Sequence, residues 1–194
     1  MSSRRSHVPE QPVRPPQLGR RRFLSLAGGL CGSVAGFAVA PVLAATRASR
    51  CLSFVHTHTG ERLRAVYFRD GCYQPDSLSQ VNRLLRDFRT GDVHPIDPGL
   101  LDILFELQIR ADRDDAFEVI SGYRSPATNA LLHSRSEGVA VHSMHLEGRA
   151  IDVRLPGCVT RDLAGHARSL GLGGVGFYAR SDFVHVDTGR VRFW

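Results

Sequence analysis

Two histidines and an aspartate late in the chain have the types and spacing of a catalytic metal site. The pattern S-x-H-x-x-x-x-x-x-D contains His145 and Asp152, and a downstream D-x-x-H-x-D contains His185. Two imidazoles and one carboxylate supply three protein ligands for a tetrahedral Zn²⁺, and the fourth position stays open for water. Because an open position permits catalysis, the pattern predicts a zinc site that carries out a reaction.

A proton acceptor and a positive charge would complete this chemistry. Asp182 stands three residues before His185, where its carboxylate could deprotonate a zinc-bound water. Arg124 in the turn S-G-Y-R-S could neutralise an oxyanion or hold a substrate carboxylate. The alternative interpretation is that the Arg124 side chain forms an ion pair with a surface acid. Asp187 is either a hydrogen-bond partner of a ligand imidazole or a hairpin-turn residue. Two further candidates for contacts to the substrate or to the ligands are Ser143 and Tyr123.

Other histidines in the sequence fit a metal site less well. His142 lies three residues before His145 in a loop, where no helix brings the two side chains together, so we interpret it as a loop histidine. The order H-L-E-G-R around Glu147 differs from the helical H-E-x-x-H motif of metalloproteases. His56 and His58 share one face of a predicted strand or its turn. A second metal site there is conceivable, although no third ligand stands nearby in the sequence.

Short strands and amphipathic helices are the elements that must position these residues. Strands are predicted over 51–56, 63–68, 117–120, 150–155, 174–178 and 183–187, with hairpins at the first and last pairs. Helices are predicted over 76–88, over 98–110 behind an Asp97 N-cap, from Pro126 behind a Ser125 N-cap, and over about 160–170. Alternation along the last strand projects His185 and Asp187 to one face.

The first 44 residues have the layout of a twin-arginine export signal. Paired arginines at 20–22 precede Phe23 and Leu24, and a Gly-rich apolar run leads to small residues at 42–45. Cleavage after about Ala44 would leave 45–194 as the catalytic domain. The alternative is an uncleaved membrane anchor, although its glycines make the run marginal as a spanning helix. The pattern predicts passage through the Tat translocon to the periplasm or cell envelope.

Charge and cysteine content exclude several classes of function. The formal net charge is +6, but residues outside 1–44 include 19 basic and 18 acidic side chains, so nucleic acid is not an expected partner. The chain has no Lys, which excludes a catalytic lysine or a Schiff base. Three cysteines fall within 45–194: Cys51, Cys72 and Cys158. One disulfide, such as Cys51 to Cys72, and three reduced thiols are both open interpretations.

The longer motifs of the chain resemble a known family of zinc peptidases. I-S-G-Y-R-S-P-x-T-N, S-x-H-x-x-G-x-A-I-D and G-G-V-G-F-Y…F-V-H-V-D-T-G make residues 51–194 similar to the YcbK-like proteins. These belong with D-alanyl-D-alanine carboxypeptidases, VanX-type dipeptidases and phage L-alanyl-D-glutamate endolysins. The resemblance implies a single α+β domain with a small antiparallel sheet flanked by helices.

The same resemblance implies roles for individual residues. Zn²⁺ would be held by His145, Asp152 and His185. Asp182 would be the general base, at a position where many relatives carry Glu. Arg124 matches the motif arginine that serves substrate binding or oxyanion stabilisation.

We therefore expect an exported zinc peptidase that hydrolyses amide bonds in the stem peptides or cross-links of peptidoglycan. A murein endopeptidase is favoured over a D,D- or L,D-carboxypeptidase. An alternative of another class is a zinc-containing wall-binding protein that does not cleave, and a third is a periplasmic binding module without metal. A membrane is an expected partner only through the signal segment, if that segment is uncleaved.

Overall fold

A mixed sheet of eight strands organises residues 49–136 and 138–194, the part of the chain that this computed structural model describes. The predicted twin-arginine segment and its boundary at residue 44 lie outside these residues. The strands are β1 (Ser49–His56), β2 (Arg62–Arg69), β3 (Cys72–Tyr73), β4 (Phe117–Ser121), β5 (Ala150–Arg154), β6 (Gly174–Tyr178), β7 (Phe183–Asp187) and β8 (Arg192–Phe193). The helices are α1 (Pro75–Leu84), α2 (Pro98–Arg110), α3 (Pro126–Arg135), α4 (Thr160–Leu170) and a 3-10 turn (Met144–Glu147).

The strand order is β3-β2-β1-β4-β5-β7-β6-β8. β1 pairs with β4 in parallel, and β6 pairs with β8 in parallel, while the other neighbours run antiparallel. The α+β class is confirmed, with a mixed sheet in place of the antiparallel one expected. The first parallel pairing arises because the chain passes through α1 and α2 before it returns as β4, and such crossovers are what parallel neighbours require.

Alternation along the strands separates a hydrophobic core from the face that carries the polar residues. Val184 and Val186 of β7 are buried in the core, as are Ile151 and Val153 of β5. Helix α2 closes this core with apolar residues at helical spacing: Leu100, Leu101, Leu104 and Leu107. Its predicted Asp97 N-cap is confirmed, since the Asp97 carboxylate accepts a hydrogen bond from Gly99 N at 2.9 Å. None of the described helices has the length and apolar character needed to cross a bilayer.

Helix α1 ends earlier than predicted, at Leu84 instead of Phe88. The Leu85 carbonyl accepts a hydrogen bond from Tyr123 N at 2.8 Å, so the backbone leaves the helix to meet the turn after β4. A Cβ on Gly122 would lie 2.5 Å from the same carbonyl oxygen, so glycine is required at this contact. The end of α1 is therefore fixed by a contact between distant segments, which helical periodicity does not reveal.

The three described cysteines are free thiols. Cys51 lies on β1 and Cys72 on β3, with β2 between them. Two strand spacings amount to about 10 Å, whereas a disulfide needs Cα atoms within about 7 Å. The fold therefore excludes the Cys51–Cys72 bridge that the sequence left open.

Candidate metal centre

Two neighbouring strands and the 3-10 turn bring the three predicted ligands together. β5 pairs with β7 so that Asp152 stands directly opposite His185. His145 belongs to the 3-10 turn that ends at Gly148, just before β5, and Ser143 caps this turn. All three ligand side chains are buried. The register of one strand pair thus determines most of the site.

The candidate ligand atoms lie within about 0.4 Å of the separations expected around a single cation. His145 Nε2 is 3.2 Å from His185 Nδ1, and Asp152 Oδ1 is 2.9 Å from His185 Nδ1 and 3.3 Å from His145 Nε2. Tetrahedral Zn²⁺ with bonds of roughly 2.0 to 2.2 Å separates its ligand atoms by about 3.3 to 3.6 Å. Within residues 49–136 and 138–194 no other group of three such side chains could hold a metal ion.

A hydrogen bond at one nitrogen of each imidazole determines which nitrogen faces the candidate metal position. His145 Nδ1 lies 2.7 Å from the Gly122 carbonyl, and His185 Nε2 lies 3.0 Å from Asp187 Oδ2. A carbonyl or carboxylate oxygen accepts a hydrogen bond there from the N–H of the neutral ring, so His145 Nε2 and His185 Nδ1 are the nitrogens whose lone pairs can bind a metal. Of the two roles considered for Asp187, the structure shows the hydrogen bond to a ligand imidazole.

Asp187 is itself held by the short strand β8 and by backbone amides. Arg192 donates two hydrogen bonds to its carboxylate, at 2.7 Å and 3.1 Å, and the amides of Gly174 and Gly189 donate to Oδ1. Burial would raise the pKa of Asp187, but the bonds from His185 and Arg192 hold it well below its usual range. The carboxylate therefore stays charged beside His185.

The charge distribution of the three ligands suits a cation. Burial lowers the pKa of His145, which favours the neutral ring that a metal requires. Burial opposes ionisation of Asp152, yet His145 and His185 keep its pKa below the usual range. Burial also lowers the pKa of His185, but the hydrogen bonds to Asp152 and Asp187 outweigh this and raise it. The Asp152 and Asp187 carboxylates thus place negative charge beside the imidazoles, which favours a cation at this point.

Arg124 reaches this centre from the turn after β4. Its Nη2 lies 2.5 Å from Asp152 Oδ2, and its Nε donates to Ser121 Oγ at 2.9 Å. Its side chain is 13% exposed, so its partner is a buried ligand carboxylate and not a surface acid. The turn is fixed by Asp87, whose carboxylate accepts hydrogen bonds from the amide and the hydroxyl of Ser125.

The structure does not bring Asp182 into the centre. Its carboxylate accepts a hydrogen bond from Thr160 Oγ1 at 2.5 Å, lies 3.5 Å from Arg154 Nε and is 66% exposed. Asp182 has a positive φ of 52° in the turn before β7, so its side chain does not follow the alternation that holds along the strand to His185. The carboxylate therefore lies outside the candidate centre in this structure, and its role as general base stays a prediction.

The remaining candidates have varied surroundings. Ser143 caps the 3-10 turn by accepting from His145 N at 3.4 Å, while the Tyr123 ring stacks on His94 at 4.7 Å. His142 is exposed in its loop. His58 stacks on Phe88 at 4.3 Å, and the second metal site considered for it and His56 is absent among the described residues.

An open cleft of about 470 Å³ gives access to the centre. Arg124 lies along it, loop 138–143 forms one wall, and Tyr178, Phe183 and Trp194 form another. Sequence reasoning missed the aromatic wall because Trp194 follows a strand of only two residues. It also missed Asn129, whose amide donates to the carbonyls of loop residues 140 and 141 at 3.1 Å. The available signal was its place in S-P-x-T-N.

Comparison with known proteins places these features in a family. A family model described as peptidoglycan L,D-endopeptidase MepK matches residues 44–194. The chain is 39% identical over 175 residues to a peptidoglycan L,D-endopeptidase MepK of Escherichia coli strain K12, covering 90% of this chain and 96% of that protein. It is also 39% identical over 180 residues to a probable enzyme of the same name from Haemophilus influenzae, covering 90% and 95%. The chain therefore belongs to the MepK family of peptidoglycan peptidases, which the resemblance to YcbK-like proteins had indicated.

Proposed function

We propose that this chain is a zinc-dependent L,D-endopeptidase that hydrolyses amide bonds in the cross-links or stem peptides of peptidoglycan. The observation that carries the proposal is the buried set of His145, Asp152 and His185 at the floor of an open cleft. The relatives named as L,D-endopeptidases support the substrate class and the type of bond.

The donor set suits Zn²⁺ better than the harder cations. Two imidazole nitrogens and one carboxylate oxygen match zinc in catalytic sites, whereas Mg²⁺ and Ca²⁺ favour shells made of oxygen. When bound by these residues, zinc would polarise the scissile carbonyl and lower the pKa of a water.

The chain's own residues orient the substrate and balance its charge. Arg124 uses Nε for Ser121 and one Nη2 hydrogen for Asp152, so further guanidinium hydrogens are available to a substrate oxygen. Such donors stabilise an oxygen on which negative charge develops. Among the described residues that line the cleft, Asp152 is the only carboxylate, and this argues against Asp182 as the proton acceptor.

We also propose the cell envelope as the place of action and the twin-arginine route as the path to it. The family match begins at residue 44, which supports a signal segment over 1–44 and a catalytic domain over 45–194. The Tat translocon would be a partner only during export. The motif at Arg20–Phe23 and Leu24 is the basis for this route.

Product analysis by mass spectrometry tests the enzymatic proposal. The full chain is incubated with cross-linked muropeptides, once with zinc and once with a chelator. We expect zinc-dependent conversion of dimers to monomers, with product masses that identify an L,D-bond. His185→Ala should abolish conversion and zinc binding, whereas His166→Ala on α4 should retain both, since His166 is outside the cleft.

Other outcomes of the same experiment would favour the alternatives. Loss of a single terminal residue from monomers would indicate a carboxypeptidase. Retention on peptidoglycan with bound zinc and no change in mass would indicate a wall-binding protein. Conversion that persists in His185→Ala without metal would overturn the metal mechanism.

A further inference from the structure

The wall formed by β6 and β8 contains an aromatic pair whose hydrogen bonding is incomplete. Trp194 Nε1 lies 3.0 Å from the hydroxyl oxygen of Tyr178, and both side chains line the cleft. The indole N–H is a donor only, so the tyrosine oxygen accepts this bond. Within the part of the chain that the structure describes, this is the one hydrogen bond that the Tyr178 hydroxyl makes, and its own hydrogen is left unused.

Two glycines on β6 make room for this arrangement. Gly176 stands opposite His185 in the β6–β7 register, and a Cβ there would lie 2.6 Å from the Trp194 ring. The indole therefore occupies the space above Gly176, with its ring centre 5.3 Å from that of His185. A Cβ on Gly174 would likewise lie 2.5 Å from Arg192. The absence of side chains at Gly174 and Gly176 thus leaves room for the Trp194 indole and for Arg192, which holds Asp187.

Both aromatic rings are held in place. Tyr178 stands opposite Phe183, and their rings stack with centres 4.6 Å apart. Trp194 is tied to β6 by backbone hydrogen bonds with Val175 and Phe177, while Arg192 lies over its ring at 5.0 Å. The hydroxyl therefore keeps its position relative to the ligand strand, as a substrate donor must.

The strand order puts this hydroxyl and Arg124 on opposite sides of the ligands. Arg124 follows β4, the ligand strands β5 and β7 come next, and Tyr178 lies on β6. Three strand spacings amount to about 14 Å, which is the length of about four extended residues. A short peptide laid across the strands would therefore meet a guanidinium on one side and a phenol on the other.

We propose that Tyr178 is a substrate-binding residue whose phenolic O–H donates a hydrogen bond to an oxygen of the bound peptide, with Trp194 as its positioning residue. This inference rests on the proposed function, because it takes the ligand to be a peptidoglycan peptide. It gives the bound peptide a second polar contact besides Arg124, and it places the two contacts about four extended residues apart.

Tyr178→Phe tests the hydroxyl while keeping the ring that stacks on Phe183. In the zinc-loaded full chain we expect kcat/KM on cross-linked muropeptides to fall about 10- to 100-fold, with unchanged zinc content, because one hydrogen bond to the substrate is lost. The matched control is Tyr73→Phe, which removes a hydroxyl bonded to Asp102 on a strand at the other end of the sheet. It should leave kcat/KM within twofold of the parent value.

Binding provides a readout that does not depend on turnover. Trp194 is the only tryptophan of the chain, so its fluorescence reports on this wall. With metal removed by chelator, a tetrapeptide stem should change the emission of the parent chain, and the Kd should rise about tenfold or more in Tyr178→Phe. Trp194→Phe, followed by calorimetry, should raise the Kd by a smaller factor because the hydroxyl is retained but less well oriented.

The outcomes separate this inference from the proposed function. If the parent cleaves muropeptides and Tyr178→Phe matches it in kcat/KM and Kd, Tyr178 does not contact the substrate and the inference is overturned alone. If the parent binds the tetrapeptide through the hydroxyl but cleaves nothing, the endopeptidase proposal fails and the contact stands. If the parent neither binds nor cleaves, both fail.

Discussion

The two aspartates that flank His185 have opposite surroundings. Asp187 is fully buried and bonded to the imidazole, to Arg192 and to two backbone amides. Asp182 is 66% exposed and contacts Thr160 and Arg154. An Asp→Asn substitution at each position therefore shows whether the carboxylate supports the metal site or only forms an ion pair at the surface.

Asp187→Asn should weaken the metal site while leaving all three ligands in place. The amide has one acceptor oxygen instead of two, so it cannot serve Arg192 and His185 as the carboxylate does. Loss of such a partner to a ligand imidazole costs about 10- to 100-fold in metal affinity. Competition with a chromophoric zinc chelator measures the change, and an unaltered affinity would show that the imidazole is oriented by other contacts.

Asp182→Asn should leave zinc affinity unchanged and muropeptide cleavage within about threefold of the parent, because exposed ion pairs contribute little. Steady-state cleavage with a parallel zinc measurement makes the comparison. A loss of two orders of magnitude or more with zinc retained would restore Asp182 as the proton acceptor. It would also mean that the turn before β7 rearranges when substrate binds.

At the level of elements, the loop between α3 and the 3-10 turn forms a wall of the cleft that side chains of α3 hold, among them Asn129 and His133. Asn129 on α3 is buried and donates through Nδ2 to the carbonyls of Ala140 and Val141, at 3.1 Å each. These two bonds tie the loop to the helix that follows the Arg124 turn. The position of residues 140 and 141 in this wall therefore depends largely on one amide group, while His133 contacts the Val139 carbonyl beside them at 2.6 Å.

Asn129→Asp should release this wall, because a carboxylate has no hydrogen to donate and repels both carbonyls. We expect KM for muropeptides to rise about tenfold, with zinc affinity unchanged, since none of the ligands is touched. Asn82→Asp is the matched control, because Asn82 serves only as acceptor for Ile96 N through Oδ1, which aspartate retains. Equal KM values for the parent and Asn129→Asp would mean that the loop does not contact substrate.

Elements with clear periodicity were predictable from the sequence, and contacts between distant segments were not. The strands over 174–178 and 183–187 and the helix over 98–110 are confirmed because alternation, helical spacing and the Asp97 cap are local signals. The end of α1 was missed because Tyr123, far along the chain, draws the Leu85 carbonyl out of the helix.

The same limit applies to the candidate site. The candidate ligands His145, Asp152 and His185 were predicted from motif spacing, and the structure brings them together. The position of the Asp182 carboxylate depends on the direction of a turn, and spacing alone does not reveal the positive φ of this residue. Trp194 escaped notice because a two-residue strand is too short to produce an alternating pattern.

For the molecule as a whole, one buried carboxylate links the active-site turn to global stability. Asp87 accepts hydrogen bonds from Ser125 and from the amide of Arg89. Burial would raise the pKa of Asp87, but the hydrogen bonds from Thr128 and Ser125 outweigh it and lower the pKa to about 2. A lowered carboxyl pKa stabilises the folded state above the unfolded pKa of about 3.9, and this stabilisation is lost as pH falls toward 2.

Asp87→Asn should therefore reduce the free energy of unfolding by about 2 kcal/mol at pH 6, and the difference from the parent should shrink as pH falls from 5 to 2. Urea unfolding at a series of pH values measures it. Asp114→Asn, at an exposed loop position, should change the free energy by less than about 0.5 kcal/mol at every pH. If the difference in free energy of unfolding between Asp87→Asn and the parent does not vary with pH, the effect comes from lost packing and not from charge.

The placement of the ligands on β5 and β7 has a consequence for biosynthesis. A nascent chain that has left the ribosome only as far as β5 carries His145 and Asp152 but not His185, a set of two ligands that holds zinc weakly. The third candidate ligand joins the other two only when the β6–β7 hairpin is paired with β5. If these residues hold zinc as proposed, acquisition of the cation would depend on the docking of this hairpin, and a chain that fails to dock it would lack a complete site.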